Sequence, residues 1–590
     1  MALIKRNRYI LAGKLVPHLP FILLGLLSVF LYKERLFSDS GYYLFNALNS
    51  GSFRIEHDRY VLAISQLLPL AGVWLGFNLK TIILLYSIGH VLFFYVLFLF
   101  VYFGLGDRKS GLMLILLQTV GILQSFFTPQ FELYYGIALL ITFYAIFRQG
   151  IRGLFAIVLM IVLEFFALTS HPLVFMLFAF IILFDIQRKE PRDWKLYVLF
   201  ALIFGGVIYF KFMTFSDYEQ GKVNWHLNYT ENKLYLNLLS PEYLQKLGFF
   251  LLRFYTEVLL LWIIGILMLL RKKAFIKALM VIFAFTGYVA MVNAAYNGTE
   301  YSRYIEQVYF PLAFIALVPV VYSYPRSARP GLNNIVFLSL AGLILFRIVM
   351  IYNASKPFIL RTHQMENMIA SARQMSGSKF IASENQFERP YSITDWSYPL
   401  ESLLLSACDG KYSAVTIAPQ ADIKFNQNYK LLRPYNLLFR KWEIYNYSWL
   451  NNDYFMLKPG PYQPLCDSLA PPNDYQYLIS NITIKINPGT YYKAFDTVYI
   501  PVTIRNLSDT PLRCNAGDRI SLSYFWIRNK EMVDWDGLHT PLETDVYQNL
   551  TQNMAVATPS RKGRYQLMVD IKVENKIWFG LTAQANMLIY

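Results

Sequence analysis

The chain of 590 residues is 55% hydrophobic and 17% aromatic, and only 16% of its residues are charged, against about 25% in soluble domains. Its mean hydropathy of +0.35 indicates several apolar runs of about 20 residues, each long enough to cross a bilayer core of about 30 Å. This composition excludes an ordinary soluble protein. Much of the net charge of +16 lies between apolar runs, so it indicates membrane topology, and nucleic acid is not an expected partner.

The apolar runs predict a polytopic α-helical membrane protein with about eleven spans. The first run, 15–32, follows several Lys and Arg residues and has no small-residue cleavage site, which predicts an uncleaved span with a cytoplasmic N-terminus. Basic loops near 107–109, 148–152, 188–195, 271–277 and 326–329 fall on alternate connections, as expected of cytoplasmic loops. The other predicted spans lie near 81–104, 111–127, 134–147, 153–169, 172–186, 196–213, 248–270, 275–293, 305–322 and 332–352.

The apolar segment 58–77 does not fit this count, because an additional span there would move the next basic loop outside. We interpret it as an interfacial or re-entrant helix bent by Pro69. The alternative is twelve spans with a reversed early topology. With eleven spans, the loops 33–80 and 214–247 and everything after 353 face outward.

The hydropathy pattern divides the chain into three predicted domains: a transmembrane domain at 1–352, an extracytoplasmic α/β domain at 353–477 and a β-sandwich at 478–590. The α/β interpretation depends on mixed helix and strand patterns such as HQMENMIASARQM and KFIASE. In the last domain Val498, Ile500, Val502 and Ile504 alternate with polar residues, as in half-buried antiparallel strands.

Common catalytic motifs are missing from the sequence. There is no GxxxxGK[ST] loop, no HExxH and no CxxC pair, so nucleotides are not the obvious substrates. The three cysteines, Cys408, Cys466 and Cys514, allow one disulfide.

The first outward loop contains a candidate general base. Asp39 lies just beyond the first predicted span, before the aromatic pair Tyr42-Tyr43, where a carboxylate can take a proton from an attacking hydroxyl. The alternative is that Ser38 or Asp39 only caps a short helix.

Further titratable groups lie on the same predicted face, where charges at the membrane edge are costly and therefore point to function. Each also has a structural alternative, such as a solvated helix start or a side chain that reaches the interface. An Arg guanidinium in this set can grip a phosphate from two directions. The candidates are His57, Asp58, Arg59, Glu132, His171, Glu300, Arg303 and Tyr304.

This organisation resembles the C-type (GT-C) superfamily of membrane glycosyltransferases, which includes protein mannosyltransferases and lipid A aminoarabinose transferases. The resemblance lies in Asp39 of SDSGYY, the interfacial helix after it, Glu132, and Arg303-Tyr304 followed by Pro311 in RYIEQVYFP. It covers roughly the first 350 residues. Here Asp39-Ser40 stands where an Asp-Glu pair is common, which leaves open the assignment of the base and any dependence on Mg²⁺ or Mn²⁺.

The resemblance implies transfer of a sugar, with inversion, from a polyprenyl phosphate-linked donor to a glycan, lipid or protein acceptor. It places Asp39 and Glu132 in catalysis and Arg303, Tyr304, Arg59 and His57 at the donor phosphate. Tyr42, Asp58, His171 and Glu300 are further site candidates. Membrane lipids are the surrounding partners.

The terminal domain is similar to β-sandwich modules of bacterial surface-polysaccharide proteins. Such a module implies that Trp535, Asp536 and His539 bind carbohydrate, although a core Trp beside a turn is an equal alternative. It also implies a bacterial inner membrane with periplasmic C-terminal domains. The rival functions are a lipid-linked glycan transporter or flippase, a glycan polymerase or ligase, and a non-catalytic cell-envelope assembly protein.

Overall fold

The computed structural model describes residues 15–151, 153–187, 193–214, 216–231, 240–295, 302–324, 330–382, 396–419, 434–440, 443–465, 475–508, 510–514, 519–529, 531–534, 536–574, 577–581 and 583–590. The chain packs into two compact units. The first comprises Met1–Asn367, Tyr391–Thr416 and Lys430–Pro459, and the second comprises Met368–Pro390, Ile417–Tyr429 and Gly460–Tyr590. The boundaries of the three predicted domains stay a prediction.

The N-terminal part is mostly helical, as the apolar runs predict. Its helices are α1 (Leu19–Phe30), α2 (Asp39–Ser50), α3 (Leu62–Trp74), α4 (Leu79–Leu99), α5 (Arg108–Thr119), α6 (Glu132–Gln149), α7 (Leu154–Ser170), α8 (Leu173–Ile186), α9 (Trp194–Met213), α10 (Asp217–Glu231), α11 (Pro241–Phe254), α12 (Thr256–Arg271), α13 (Phe275–Ala295), α14 (Ser302–Ser323), α15 (Pro330–Asn353) and α16 (Lys356–Gln374).

The structure does not support eleven spans. In the described part of the chain, the stretches long and apolar enough to cross a membrane are Leu79–Gly104, Trp194–Met213, Phe275–Val292, Glu306–Ser323 and Asn333–Gln374. The pair Leu247–Phe254 and Thr256–Arg271, which meets at an 86° bend, adds a sixth if it counts as one span. Several other predicted spans fold as shorter apolar helices, including Leu154–Ser170 and Leu173–Ile186.

The predicted span at 111–127 shows one reason why the count is not supported. Helix α5 ends at Thr119 after 12 residues, which is about 18 Å, and a 3₁₀ turn follows at Gln124–Phe127. Gly121 lies at this break because the Phe310 ring approaches its backbone so closely that a Cβ would lie 2.6 Å from the ring. A hydropathy pattern cannot reveal such a break, since the broken segment is as apolar as a helix.

Two buried charges satisfy the backbone groups freed at this break. Arg347 donates to the carbonyl oxygens of Ile122 at 3.0 Å and Thr119 at 3.3 Å. Glu306 accepts from the backbone N–H of Gln124 at 2.9 Å, and also from those of Leu123 and Ser125. In an apolar interior these contacts replace the water that would otherwise bind the freed groups.

The predicted helix in YPLESLLLSAC is confirmed as α17 (Tyr398–Ala407), which belongs to the first unit with the hairpin β3 (Asn436–Arg440) and β4 (Glu443–Asn446). This region covers α2. The buried ring of Phe45 packs against Phe439 at 4.9 Å and Phe455 at 5.3 Å between ring centroids. The middle of α2 is therefore held by aromatic packing at Phe45.

The second unit begins with a small sheet in the order β2–β1–β5, with β1 at Lys379–Ala382, β2 at Thr416–Pro419 and β5 at Gln463–Pro464. After α18 (Tyr475–Asn481) it is a β-sandwich, as predicted. Its strands are β6 (Ile482–Ile486), β7 (Tyr491–Tyr492), β8 (Thr497–Asn506), β9 (Ile520–Arg528), β10 (Glu531–Asp534), β11 (Thr540–Pro541), β12 (Asn549–Ala557), β13 (Gly563–Val573), β14 (Ile577–Trp578) and β15 (Ala583–Ile589).

The sandwich has one sheet in the order β12–β8–β6 and a larger one in the order β10–β9–β13–β15–β7, with β11 on β9 and β14 on β13. Ile500, Val502 and Ile504 face one core together with Leu567 and Trp526 of the other sheet. On β9 the polar side is buried as well, because Ser521 and Ser523 lie under a charged cluster.

Close helix packing in the first unit depends on Gly136 of α6. A Cβ at this position would overlap the Ser170 hydroxyl of α7. We expect Gly136→Ala to lower the free energy of unfolding by about 1–3 kcal/mol, the usual cost of an overpacked contact. The thermal unfolding midpoint of the detergent-solubilised protein should fall accordingly. Gly205→Ala in α9 is the matched control, since a Cβ there meets nothing within 4 Å. Equal midpoints for the two variants would contradict the packing argument.

Candidate functional site

Asp39 is the first residue of α2, and its side chain is partly exposed. Its carboxylate lies at a helix N-terminus, where the partial positive charge of the helix favours an anion. Ser38 occupies the cap position, but its hydroxyl makes no capping hydrogen bond. The simple capping role that the sequence left open for Ser38 is therefore not what the structure has.

Glu132 is the first residue of α6 and is buried. Arg59, from the loop before α3, lies 3.2 Å from it, between Nη1 and Oε1. Removing two charges from water costs free energy that only a well-made pair repays. The pair thus joins two of the predicted site residues, which are 73 positions apart in sequence.

The charge pair extends into a network through a residue that the sequence analysis missed. Glu219, on α10, lies 4.0 Å from Arg59 and 3.8 Å from Lys211 of α9. Lys211 also donates to the backbone oxygen of His57 at 2.6 Å. Glu219 lies in the long outward loop predicted at 214–247, where no local motif marked it.

His57 and Asp58 form a strained turn, with φ of 55° and 52°. The Nδ1 of His57 hydrogen-bonds the Ser216 hydroxyl at 2.9 Å. Burial lowers the pKa of the His57 imidazole below its ordinary value, and the positive charge of Arg59 lowers it further. The neutral imidazole is therefore the favoured form near neutral pH.

Tyr42 and Tyr43 both reach Glu56, another residue that the sequence analysis missed. The Tyr42 hydroxyl donates to Glu56 Oε1 at 2.7 Å, and the Tyr43 hydroxyl donates to Oε2 at 3.4 Å. The two rings meet edge to face. Tyr42, a predicted site residue, thus fixes the loop between α2 and α3 against α2.

The charges of two predicted acids, Asp39 and Glu132, both act on the hydroxyl of Tyr43. Burial raises the pKa of its hydroxyl well above the ordinary value, and the charges of Glu132, Glu56 and Asp39 raise it further, while Arg59 opposes them. The charge of Asp39 also acts on Glu132, and Arg59 forms an ion pair with Glu132. The structure therefore brings Asp39, Glu132 and Arg59 together.

His171, which follows α7, also faces this network. Its Nδ1 accepts a hydrogen bond from the backbone N–H of Leu173 at 3.2 Å. Burial lowers the pKa of its imidazole well below the ordinary value, as do the charges of Arg59 and Lys211. Asp58 interacts electrostatically with Lys211.

The predicted phosphate residues Arg303 and Tyr304 lie in the first turn of α14, and their side chains fall outside the described residues, as does Glu300 entirely. Glu306, one turn further along α14, is the buried residue that holds the loop 123–125 ahead of Glu132. The start of α14 is thereby tied to the segment that leads to Glu132.

Arg35 is a further missed residue, at the end of the first predicted span. It is fully buried, with its guanidinium 4.0 Å above the Phe126 ring and Nη2 3.1 Å from His90 Nδ1. Tyr86 interacts electrostatically with both Arg35 and Asp39. The feature of the sequence that could have indicated Arg35 is its position as a charged residue beside an apolar run.

The sandwich carries a separate charged cluster around His539. Its Nε2 lies 2.6 Å from Asp536, and its Nδ1 lies 2.6 Å from Glu574. Lys572 pairs with Asp536 and lies 4.0 Å from Glu574. The structure therefore brings Asp536 and His539 together, while Trp535 lies outside the described residues.

Among the residues that the structure describes, no group of three or more His, Cys, Asp and Glu side chains is arranged to hold a metal ion. Glu132 and Glu219 face Arg59 and Lys211 instead of each other. These side chains do not fit a Mg²⁺ or Mn²⁺ site.

A cavity of about 450 Å³ lies elsewhere in the first unit, between the end of α3 and the residues that follow α17. Phe77, Cys408 and Tyr454 are among the residues that line it, and the predicted site residues are not.

No family model and no curated protein matches the chain. Among solved structures, it is similar to the CARDB domain of a Pyrococcus furiosus protein, whose structure was determined in solution by NMR. The two are 11% identical, and the match covers 18% of this chain and 94% of that domain with a TM-score of 0.14. These comparisons assign neither a family nor an activity.

The buried pair of Arg59 and Glu132 yields a stability prediction. Arg59→Met leaves the Glu132 carboxylate buried without its nearest cation, and we expect the free energy of unfolding to fall by about 3 kcal/mol. The double variant Arg59→Met/Glu132→Gln removes both charges, so its loss should be smaller than the sum of the two single losses. Thermal unfolding of detergent-solubilised Arg59→Met, Glu132→Gln and the double variant measures these losses, and strictly additive losses would show that the pair is not coupled.

The charged cluster of the sandwich yields a pH prediction. Burial alone would raise the pKa of Asp536, but hydrogen bonds from Lys572 and His539 lower it below its ordinary value. The ionised carboxylate therefore stabilises the fold above the unfolded pKa, and this contribution is lost as the pH falls through the lower folded pKa.

We therefore expect Asp536→Asn to reduce amide protection of residues 536–541 in hydrogen exchange at neutral pH. The difference from wild type should disappear once the pH has fallen through the lowered folded pKa of Asp536, because the carboxyl group is then protonated in both states. A difference of the same size at low pH would show that the charge is not what stabilises the cluster.

Proposed function

We propose that this protein is a membrane glycosyltransferase that uses a polyprenyl phosphate-linked sugar as donor. The observation that carries the proposal is the position of Asp39, a partly exposed carboxylate at the edge of a buried ionic network. The network joins Glu132, Arg59 and Glu219 from three sequence-distant segments. Charged networks of this kind in a membrane protein are costly and are typical of functional sites.

In the proposed reaction, Asp39 acts as general base. It takes the proton of an acceptor hydroxyl while that oxygen forms a bond to the anomeric carbon of the donor sugar. The bond from the anomeric carbon to the phosphate oxygen breaks, and its electron pair leaves with the lipid phosphate. Attack from the face opposite the leaving group inverts the anomeric configuration.

The other residues have supporting roles in this proposal. Glu132 is held by Arg59, so its carboxylate is available only as a hydrogen-bond acceptor for a sugar hydroxyl or the acceptor. Arg59 is occupied by Glu132 and Glu219. Arg303 and Tyr304, at the start of α14, are therefore the preferred partners for the donor phosphate, since Arg offers a forked set of donors.

Location and topology belong to the same proposal. Several helices are long and apolar enough to span a membrane. We propose a bacterial inner membrane, a cytoplasmic N-terminus and periplasmic C-terminal domains, with the sandwich binding the glycan acceptor near Asp536 and His539. Of the charges within helices that the transporter alternative would use, Lys211 faces Glu219 and Arg347 lies 3.6 Å from Glu257, while Glu164 has no hydrogen-bond partner among the described residues.

The test is sugar transfer by purified protein in nanodiscs that contain a mixture of polyprenyl phosphate sugars. We expect Asp39→Asn to lower kcat at least about 100-fold, since Asn cannot accept the proton. We expect Arg303→Ala to weaken donor binding and raise KM.

Asp193→Asn is the matched control, because Asp193 caps α9 through the Lys195 N–H and Asn caps a helix equally well. It should retain wild-type turnover. An Asp39→Asn variant that is as active as Asp193→Asn would exclude Asp39 as the base. If wild type transfers sugar from none of the donors and instead moves them across the bilayer, the transporter alternative replaces this proposal.

A further inference from the structure

The residue before the proposed base has a backbone conformation that normally requires glycine. Ser38 has φ of 55° and ψ of −122°, as at the first central position of a type II′ turn. A side chain in this region costs free energy, and such strain persists only where surrounding contacts enforce it. The structure must therefore contain groups that hold Ser38 in place.

Glu401 of α17 is the group that does so. Its Oε1 accepts a hydrogen bond from the Ser38 backbone N–H at 2.9 Å, and the side chain is 6% exposed. Gly41 completes the fit, because a Cβ there would lie 2.6 Å from the Leu36 carbonyl oxygen and 3.7 Å from Glu401 Cγ. The first turn of α2 thus rests directly on Glu401.

Arg361 of α16 fixes Glu401 in turn. Its Nε lies 3.1 Å from Oε2 and its Nη2 lies 3.0 Å from Oε1, which makes a bidentate pair. The Ser397 hydroxyl donates to Oε1 at 2.5 Å. The guanidinium lies 3.9 Å from the Tyr398 ring centroid and 5.0 Å from that of Phe37. A bidentate Arg–carboxylate pair between two aromatic rings has little freedom to move.

We infer that Glu401 and Arg361 are positioning residues that set the place of the Asp39 carboxylate. They contact both residues that precede Asp39, since Arg361 lies against Phe37 and Glu401 binds the Ser38 N–H. A residue more than 360 positions from Asp39 thereby acts on the base without touching the substrate. This inference rests on the proposed function only for the claim that Asp39 is the base.

The main test is Glu401→Gln in the full chain. Gln keeps an oxygen for the Ser38 N–H but loses the charge that binds Arg361 on two sides, so the turn before Asp39 loosens. Misplacement of a catalytic group by about 1 Å can cost about 100-fold, and we expect kcat to fall roughly 10- to 100-fold while KM for the lipid-linked sugar changes less than about threefold. Amide hydrogen exchange of residues 38–44 should become faster.

Asp107→Asn is the matched control. Asp107 forms an ion pair with Arg148 at 3.2 Å. Arg148 lies in the last turn of α6, whereas Glu132 is the first residue of that helix. The 18 residues of α6 separate these ends by about 25 Å. We expect Asp107→Asn to leave exchange at 38–44 unchanged and kcat within about twofold of wild type.

A second variant covers the case in which Glu401→Gln does not fold. Glu401→Gln/Arg361→Met keeps the interior neutral, and buried pairs replaced together are well tolerated. It should show the same fall in kcat and the same faster exchange at 38–44.

Two results would overturn the inference: unchanged kcat and exchange in a folded variant, or losses that Asp107→Asn reproduces. If wild type shows no turnover with any donor, the proposed function fails, while the exchange measurement still decides whether Glu401 and Arg361 hold the turn.

Discussion

Backbone groups freed between α5 and α6 are bound by two buried charges, and the position of Glu132 depends on that pairing. Arg347 donates hydrogen bonds to the carbonyl oxygens at the end of α5, and Glu306 accepts hydrogen bonds from the N–H groups that follow. In an apolar interior an unpaired peptide group costs several kcal/mol, so the break would not exist without these residues. Because the chain turns here, α6 begins with an acid at the site instead of continuing as one long apolar helix.

The same physical constraint shapes the candidate site. Glu132, Arg59, Glu219 and Lys211 alternate in sign, so that each buried charge has a neighbour of opposite sign. Removing them from water is costly, and each pair repays that cost only while the segments that carry them remain in place. The network therefore ties the loop between α2 and α3 to the starts of α6 and α10. Glu164 of α7 differs, because it is buried and neither carboxylate oxygen has a hydrogen-bond partner among the described residues, and nothing in the structure explains it.

The parts of this fold that sequence could predict are those with a local repeat. Alternating apolar residues predicted β8, and the pattern around YPLESLLLSAC predicted α17, because a strand or helix face repeats over a few positions. Charge at the ends of apolar runs likewise pointed to Asp39, Arg59 and Glu132. The predicted count of eleven spans is not supported, and one reason is that a hydropathy pattern cannot reveal a break that distant charges stabilise. Glu219 and Glu401 were missed for a related reason: their partners are far away in the chain, and no spacing connects them.

The contacts around α2 show why the position of the proposed base depends on more of the chain than its own loop. Phe45 packs on Phe439 and Phe455, and Asn451 donates hydrogen bonds to Asn49 and to the Leu48 carbonyl oxygen. These contacts hold the end of α2, while the buried carboxylate on α17 holds its start. A helix of 12 residues has little stability in isolation, since nucleation is unfavourable and each end loses hydrogen bonds. Asp39 therefore keeps a defined position because residues beyond the apolar helices fold into the same compact unit as its loop.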